Sequence, residues 1–229
     1  MSEMRGEYII TEGTDATGKT TVANLLAQKA YEEGREVIRV DEPDSAYQYH
    51  PDRLEPLPLA PIAAEVRSVI KNGSLGRTAL TNVHLFTAAR VENWQSIIQP
   101  ALERGAWVIG ARNWLSTLVY QGYAEGYDRG KIIDITRESL GEAYMQPDHL
   151  YILDLNDEKE RARRIAERGE LENPDTFESR GVDFQQKLLD GYRDIARQRV
   201  ISIVEASADR NTVAQTIWDD ITQKRHEKE

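Results

Sequence analysis

"YIITEGTDATGKTT", residues 8–21, joins a short apolar run to a loop of small residues and then to a Lys-Thr-Thr able to open a helix. Gly13 through Thr20 fits G-x-x-x-x-G-K-[ST], the pattern of a phosphate-cradling loop. Gly13 and Gly18 let the chain curl without Cβ clashes, so the N–H groups of Thr14, Asp15, Ala16 and Thr17 can turn inward toward phosphate oxygens. The helix beginning at Lys19 adds its partial positive charge, and Thr21 completes its first turn. Lys19 can reach the β- and γ-phosphates of ATP and follow charge as it moves, while the Thr20 hydroxyl is placed to ligand Mg²⁺. A strand before the loop and a helix after it supply the context the pattern requires.

Outward from this stretch, short apolar runs alternate with longer amphipathic ones. Strands are expected at 7–11, 36–42, 106–111, 149–155 and 200–206, with helices at 19–33, 61–72, 78–103, 115–122, 128–143, 157–169, 181–198 and 209–224. Gly34 and Gly105 stand where helices should stop, and Asn156-Asp157 can cap the helix after the fourth strand. Such alternation predicts α/β architecture: a five-stranded parallel sheet flanked by helices on both faces, in one domain over 1–229. The segment "EPDSAYQYHPDRLEPLPLAP", 42–61, carries five prolines. It reads as a loop, placed after a strand's carboxyl end where parallel sheets present ligand-binding segments.

Composition narrows the function. A chain of 229 residues with net charge −10 lacks the basic footprint of sequence-independent nucleic-acid binding. It contains no cysteine, which removes disulfides and thiolate metal sites. Its four histidines, His50, His84, His149 and His226, show no ligand spacing. There is no signal-peptide core and no run long enough to span a membrane, so a cytoplasmic protein is expected.

If a phosphoryl group moves, something must accept it. In "HLFTAARVENW", 84–94, Phe86 and Arg90 are four apart and share a helix face. A ring with a guanidinium can stack on a planar base and bond its edge; in isolation a core Phe and a solvated Arg would be the commoner reading. The next stretch, "GARNWLSTLVYQG", 110–122, puts Arg112 just past a strand, on the sheet edge that also holds the phosphate loop. Arg112 is therefore suited to grip an anionic acceptor. Arg161, Arg164 and Arg168 form one helical stripe. Positions 14–17 contain no arginine, so positive charge for the migrating phosphoryl group must come from elsewhere, and Arg164 and Arg168 are the choices.

Together these residues resemble the thymidylate kinase family of P-loop nucleoside monophosphate kinases. The likeness rests on E-G-x-D-x-x-G-K-T (12–20), E-P (42–43), L-F-x-A-x-R (85–90), R-x-x-x-S-x-x-x-Y-Q (112–121) and an arginine-bearing segment over 164–192. It implies transfer of the ATP γ-phosphate to a pyrimidine deoxynucleoside monophosphate, dTMP to dTDP above all, with Mg²⁺. It also implies a lid near 164–180 and a homodimer. By the same resemblance Phe86 stacks on the base and Arg90 bonds its edge, while Arg67 and Arg112 hold the acceptor phosphate. Tyr120 crowds the sugar 2′ position, and Thr117 and Gln121 contact the base or its surroundings. Asp15 meets the sugar 3′-hydroxyl or supports the metal, and Glu42 borders the acceptor.

Two departures stand out. Ala111 occupies a position where the family carries an Asp that supports Mg²⁺, and Asp15, Glu12, Glu42 or Asp154 are the candidates to compensate. "DEPDS" replaces R-E-P-G-G, which makes a 5-substituted dUMP a conceivable acceptor. Two rivals follow: a deoxynucleoside kinase with Glu42 as general base for a 5′-hydroxyl, and a non-catalytic nucleotide-binding module.

Overall fold

The computed structural model describes residues 5–43, 45–58, 61–72, 74–168 and 180–227. In chain order its elements are β1 (Tyr8–Gly13), α1 (Lys19–Glu32), β2 (Val37–Asp41), β3 (Ser45–His50), β4 (Arg53–Pro56), α2 (Pro61–Lys71) and α3 (Ala79–Asn93). After α3 come a π-helical stretch Trp94–Ile98, α4 (Gln99–Glu103), β5 (Trp107–Ala111), α5 (Trp114–Thr117), a second π-helical stretch Leu118–Ala124 and α6 (Arg129–Met145). The chain ends with β6 (His149–Asp154), α7 (Glu158–Arg168), α8 (Val182–Arg199), β7 (Ser202–Glu205) and α9 (Arg210–His226).

The strands form one sheet in the order β4-β3-β2-β5-β1-β6-β7. The five expected strands are present and mutually parallel. The sheet nevertheless has seven strands, not five, because β3 and β4 add an antiparallel hairpin beside β2. The prolines of this segment do not prevent it. Pro51 lies in the turn between the two strands, and Pro56 is the last residue of the edge strand β4, where a missing N–H disrupts no inner ladder. Inside β3, Ala46 and Tyr49 are buried. The expected lid near 164–180 lies, over 169–179, outside the described residues, as does the side chain of Arg168.

The period of two along each strand sorts side chains onto two faces. Ile9, Val37, Trp107, Ile109, Tyr151 and Leu153 pack with Val22, Ala23 and Leu26 of α1 and with Ile217 and Trp218 of α9. Tyr8, Ile10, Ile38, Val40, Val108 and Ile152 pack on the opposite face with Trp94, Trp114, Tyr144 and Tyr192. Both cores meet the carboxyl ends of β1, β2 and β5, so residues there that differ by one position face opposite sides of the sheet. No helix among the described residues is long and apolar enough to cross a membrane.

Candidate active site

β1 runs directly into the phosphate loop, whose conformation explains its glycines. Gly13 has φ +142°, and a Cβ there would lie 2.4 Å from the Leu153 carbonyl oxygen. Gly18 caps α1 at φ +89°. Ala16 holds φ +66°, a left-handed conformation costly for a residue with a Cβ. Inside the curl the buried Lys19 Nζ donates to the Thr14 carbonyl at 2.6 Å, and Thr17 Oγ1 donates to the same carbonyl at 2.9 Å. Thr20 is exposed at the first turn of α1.

On the opposite face, an open cleft of about 520 Å³ is lined by Asp15, Glu42, Arg67, Phe86, Arg90, Arg112, Thr117, Tyr120 and Gln121, together with Pro43 and Ser116. The structure thus gathers every acceptor-side residue expected from the sequence into a single concavity. The phosphate loop contributes Asp15, the end of β2 Glu42 and Pro43, α2 Arg67, α3 Phe86 and Arg90, and the segment after β5 Arg112, Ser116, Thr117, Tyr120 and Gln121.

Arg90 is fixed from three sides. Its Nε donates to Glu42 Oε2 at 2.9 Å, Nη1 to Thr117 Oγ1 at 2.6 Å, and Nη2 to the Asn113 carbonyl at 2.9 Å. The guanidinium lies 5.4 Å from the centre of the Phe86 ring. Glu42 also accepts from Tyr144 OH at 2.6 Å. Burial pushes the Glu42 carboxyl above its usual range, against the pull of Arg90 and of the Tyr144 hydrogen bond. Tyr144 had no part in the sequence reading: it lies in α6, more than a hundred residues from Glu42, and nothing local marks it.

Arg112 adopts φ +70° just beyond β5. Its Nη1 donates to Ser116 Oγ at 3.1 Å, Nη2 pairs with Asp15 Oδ1, and the group lies 5.5 Å from the Tyr120 ring centre. Tyr120 OH donates to Asp15 Oδ2 at 3.1 Å, and burial pushes its phenol well above the ordinary range. Asp15 therefore turns toward the cleft. Gln121 donates to Glu125 Oε2 at 3.2 Å, which leaves its buried Oε1 without a hydrogen-bond partner among the described residues. Such an acceptor is costly unless a ligand satisfies it.

Of the arginine stripe, two members reach the phosphate loop. Arg164 Nη1 approaches the Ala16 carbonyl at 3.5 Å, Nη2 donates to the Ala206 carbonyl at 2.8 Å, and Nε to Glu160 at 2.7 Å. Arg163 and Arg164 hold the Glu160 carboxyl at about 2. Arg161, in the stripe but not chosen from it, donates to Thr14 Oγ1 at 3.2 Å. A helix places it one turn nearer the sheet than Arg164, a distinction that spacing alone does not express.

Two carboxylates proposed to compensate for Ala111 are spent elsewhere. Glu12 is fully buried and accepts from the Asn113 and Ser116 backbone N–H groups at 2.7 and 3.2 Å and from Tyr192 OH at 2.8 Å. It anchors the start of α5. Asp154 is held by Arg193 Nε at 2.9 Å. Among the described residues no cluster of three or more His, Cys, Asp or Glu could hold a metal. Mg²⁺ does not need one, since it commonly rides on substrate phosphates with one or two protein oxygens. The Thr20 hydroxyl fits that role, and the Asp41 carboxylate lies 3.5 Å from it.

The thymidylate kinase family's sequence model matches residues 53–217. Thymidylate kinase of Nitrobacter hamburgensis is 34% identical to this chain, over 94% of it and 87% of that protein. Thymidylate kinase of Chlorobaculum tepidum is 32% identical, over 84% of this chain and 85% of its own. A crystal structure of thymidylate kinase from Ehrlichia chaffeensis superposes with a TM-score of 0.69, covering 95% of this chain and 99% of that one at 24% identity, which shows a common fold. Matched in sequence over most of its length and in backbone over nearly all of it, the chain belongs to the thymidylate kinase family.

Proposed function

We propose that this protein transfers the γ-phosphoryl group of ATP to dTMP, giving dTDP and ADP. The observation that carries the reading is the single cleft beside the phosphate loop that combines Arg67 and Arg112 with Phe86, Arg90 and Gln121. Two arginines suit a phosphate dianion, and a ring beside a fixed guanidinium suits a base. The orphaned Gln121 Oε1 suits an N–H donor such as N3–H of thymine. Tyr120, held by Asp15, walls the sugar.

An oxygen of the acceptor phosphate bonds to Pγ as the bond from Pγ to the β,γ-bridging oxygen breaks, and ADP leaves. Catalysis is positioning and electrostatics. Arg112 and Arg67 bring the acceptor in line, Lys19 stabilises charge on the transferring group, and Arg164 and Arg161 add charge from the other side of the loop. Mg²⁺, when bound with ATP, neutralises charge on the β- and γ-phosphates. The homodimer, the cytoplasmic setting, the single domain and a lid that excludes water belong to the same proposal.

The test is a coupled ADP-release assay with dTMP, thymidine, dUMP and 5-substituted dUMP. dTMP should turn over and thymidine should not. Glu42, the base a nucleoside kinase would use, has one oxygen, Oε2, tied to both Arg90 and Tyr144. Turnover of thymidine alone would replace this reading with a nucleoside kinase, and ATP binding without any turnover would leave a binding module. Arg112→Ala should raise the KM for dTMP about ten- to a hundredfold, the loss of charge-assisted hydrogen bonds worth about 1.5–3 kcal/mol. Binding of thymidine, which lacks the phosphate, should change little. Equal losses for dTMP and thymidine would show that Arg112 does not hold the phosphate.

A further inference from the structure

Asp41 ends β2, one residue before Glu42, and the alternation of side chains sends the two to opposite faces. In register Asp41 pairs with Ala111 of β5, which in turn pairs with Thr11 of β1. Parallel neighbours at one level present their side chains on one face, here the face covered by α1. Thr11 Oγ1 lies 3.5 Å from the Lys19 carbonyl, and Arg39 Nε donates to Asn24 Oδ1 of α1 at 2.8 Å. Asp41 therefore emerges against the first turn of α1, with Oδ1 3.5 Å from Thr20 Oγ1. At the same level β5 offers only the methyl group of Ala111.

The carboxylate is also held in place. Arg39 is fully buried and donates from Nη2 to Asp41 Oδ1 at 2.6 Å. Its Nη1 donates to the Val40 and Ile109 carbonyls at 2.5 and 3.0 Å. Every nitrogen of this guanidinium is engaged inside the protein, so it serves as a clamp. Asp41 Oδ2 has no hydrogen bond among the described residues, and the side chain is 30% exposed. The other acids near the loop are engaged or turned away: Glu12 to α5, Asp154 to Arg193, Asp15 to Arg112 and Tyr120, and Glu42, fully buried on the opposite face, through Oε2 to Arg90 and Tyr144. What remains is a fixed, half-open carboxylate next to the P-loop hydroxyl, a pair of hard oxygen donors of the kind Mg²⁺ takes.

We propose that Asp41 supplies the carboxylate that supports Mg²⁺ beside Thr20 in the ATP complex, and that Arg39 is its positioning residue. The inference rests on the ATP-dependent reading above but not on the identity of the acceptor. Its test is Mn²⁺ binding, followed by electron paramagnetic resonance of the free ion, to the protein with a non-hydrolysable ATP analogue and no acceptor. Asp41→Asn should weaken Mn²⁺ at least about tenfold, the scale of losing a ligand's or ligand-orienting group. Affinity for the metal-free analogue should change less than about threefold by the same reasoning. Adding Ala111→Asp to Asp41→Asn, which restores a carboxylate one strand away at the same level, should recover part of the loss. Unchanged Mn²⁺ affinity in Asp41→Asn would overturn the proposal and leave Asp41 only as the counter-charge of Arg39. Should that variant not fold, Arg39→Met with Asp41→Asn removes the buried charge together with its partner and reads out the same loss or its absence. An analogue that fails to bind the unaltered protein would instead sink the ATP reading itself.

Discussion

Lys19→Ala lowers the rate of phosphoryl transfer by about 10²–10³ or more, the scale seen when one preorganised donor to developing charge is removed. The lysine is only 8% exposed, and its ammonium sits inside the curl of the loop on the Thr14 carbonyl at 2.6 Å. ATP phosphates entering the loop bring stronger acceptors within reach of the same ammonium. Charge then shifts among the γ-phosphoryl oxygens as the bond to the bridging oxygen breaks. Since the charge is already in place, no reorganisation is needed at the moment of reaction. Lys19→Arg should not rescue, because a planar guanidinium cannot occupy a site shaped for a compact ammonium. The fold should persist, since Gly13, Gly18 and the burial of Val22, Ala23 and Leu26 set the start of α1 independently of the lysine side chain. Single-turnover ADP formation with circular dichroism as control decides the matter. A folded Lys19→Ala protein within about threefold of the normal rate would remove Lys19 from the mechanism, given the magnitude expected of such a donor.

What the sequence made legible follows the range of the interactions. The parallel strands announce themselves as apolar runs, and the phosphate loop is a local pattern whose glycines have local steric reasons. Phe86, Arg90, Arg112, Thr117, Tyr120 and Gln121 share a cleft because two helical segments and one strand end meet there, and motif order was enough to find them. The β3–β4 hairpin was hidden because proline at a turn and at an edge reads the same as proline in a loop. Asp41 was hidden for another reason. That β2 lies beside β5, bringing position 41 level with position 111, is a fact of strand order. Motif comparison registered a missing Asp on one strand and an odd "DEPDS" on another, and only the register joins them. Tyr144 and Tyr192, which hydrogen-bond Glu42 and Glu12, are likewise visible only once α6 and α8 are packed.

Glu42→Ala destabilises the protein by about 3–5 kcal/mol, the penalty for leaving one member of a buried ion pair unpaired. Arg90 and Glu42 have side chains only 3% and 0% exposed. Without the carboxylate Arg90 keeps Thr117 and the Asn113 carbonyl but loses its counter-charge, and a guanidinium cannot discard its proton. Tyr144 OH loses its acceptor as well. The reverse variant, Arg90→Met, should cost less near neutral pH and still less in acid, because Glu42 can neutralise itself by taking up a proton. Burial already raises its carboxyl, and removing Arg90 removes the main opposing influence. A carboxyl whose folded pKa lies above the unfolded value, about 4.3 for Glu, contributes stability that is full below that value and is lost as pH rises through the folded pKa. Arg90→Met should therefore be more stable at pH 5 than at pH 8 in urea titrations, and Glu42→Ala with Arg90→Met should lose that slope. A Glu42→Ala cost under about 1 kcal/mol would mean that the interior around the pair is far wetter than its burial implies, since an exposed pair contributes no more than that. The wall that orders Phe86 for a base would then rest on packing alone, and the variant should bind dTMP nearly as well as the parent protein does.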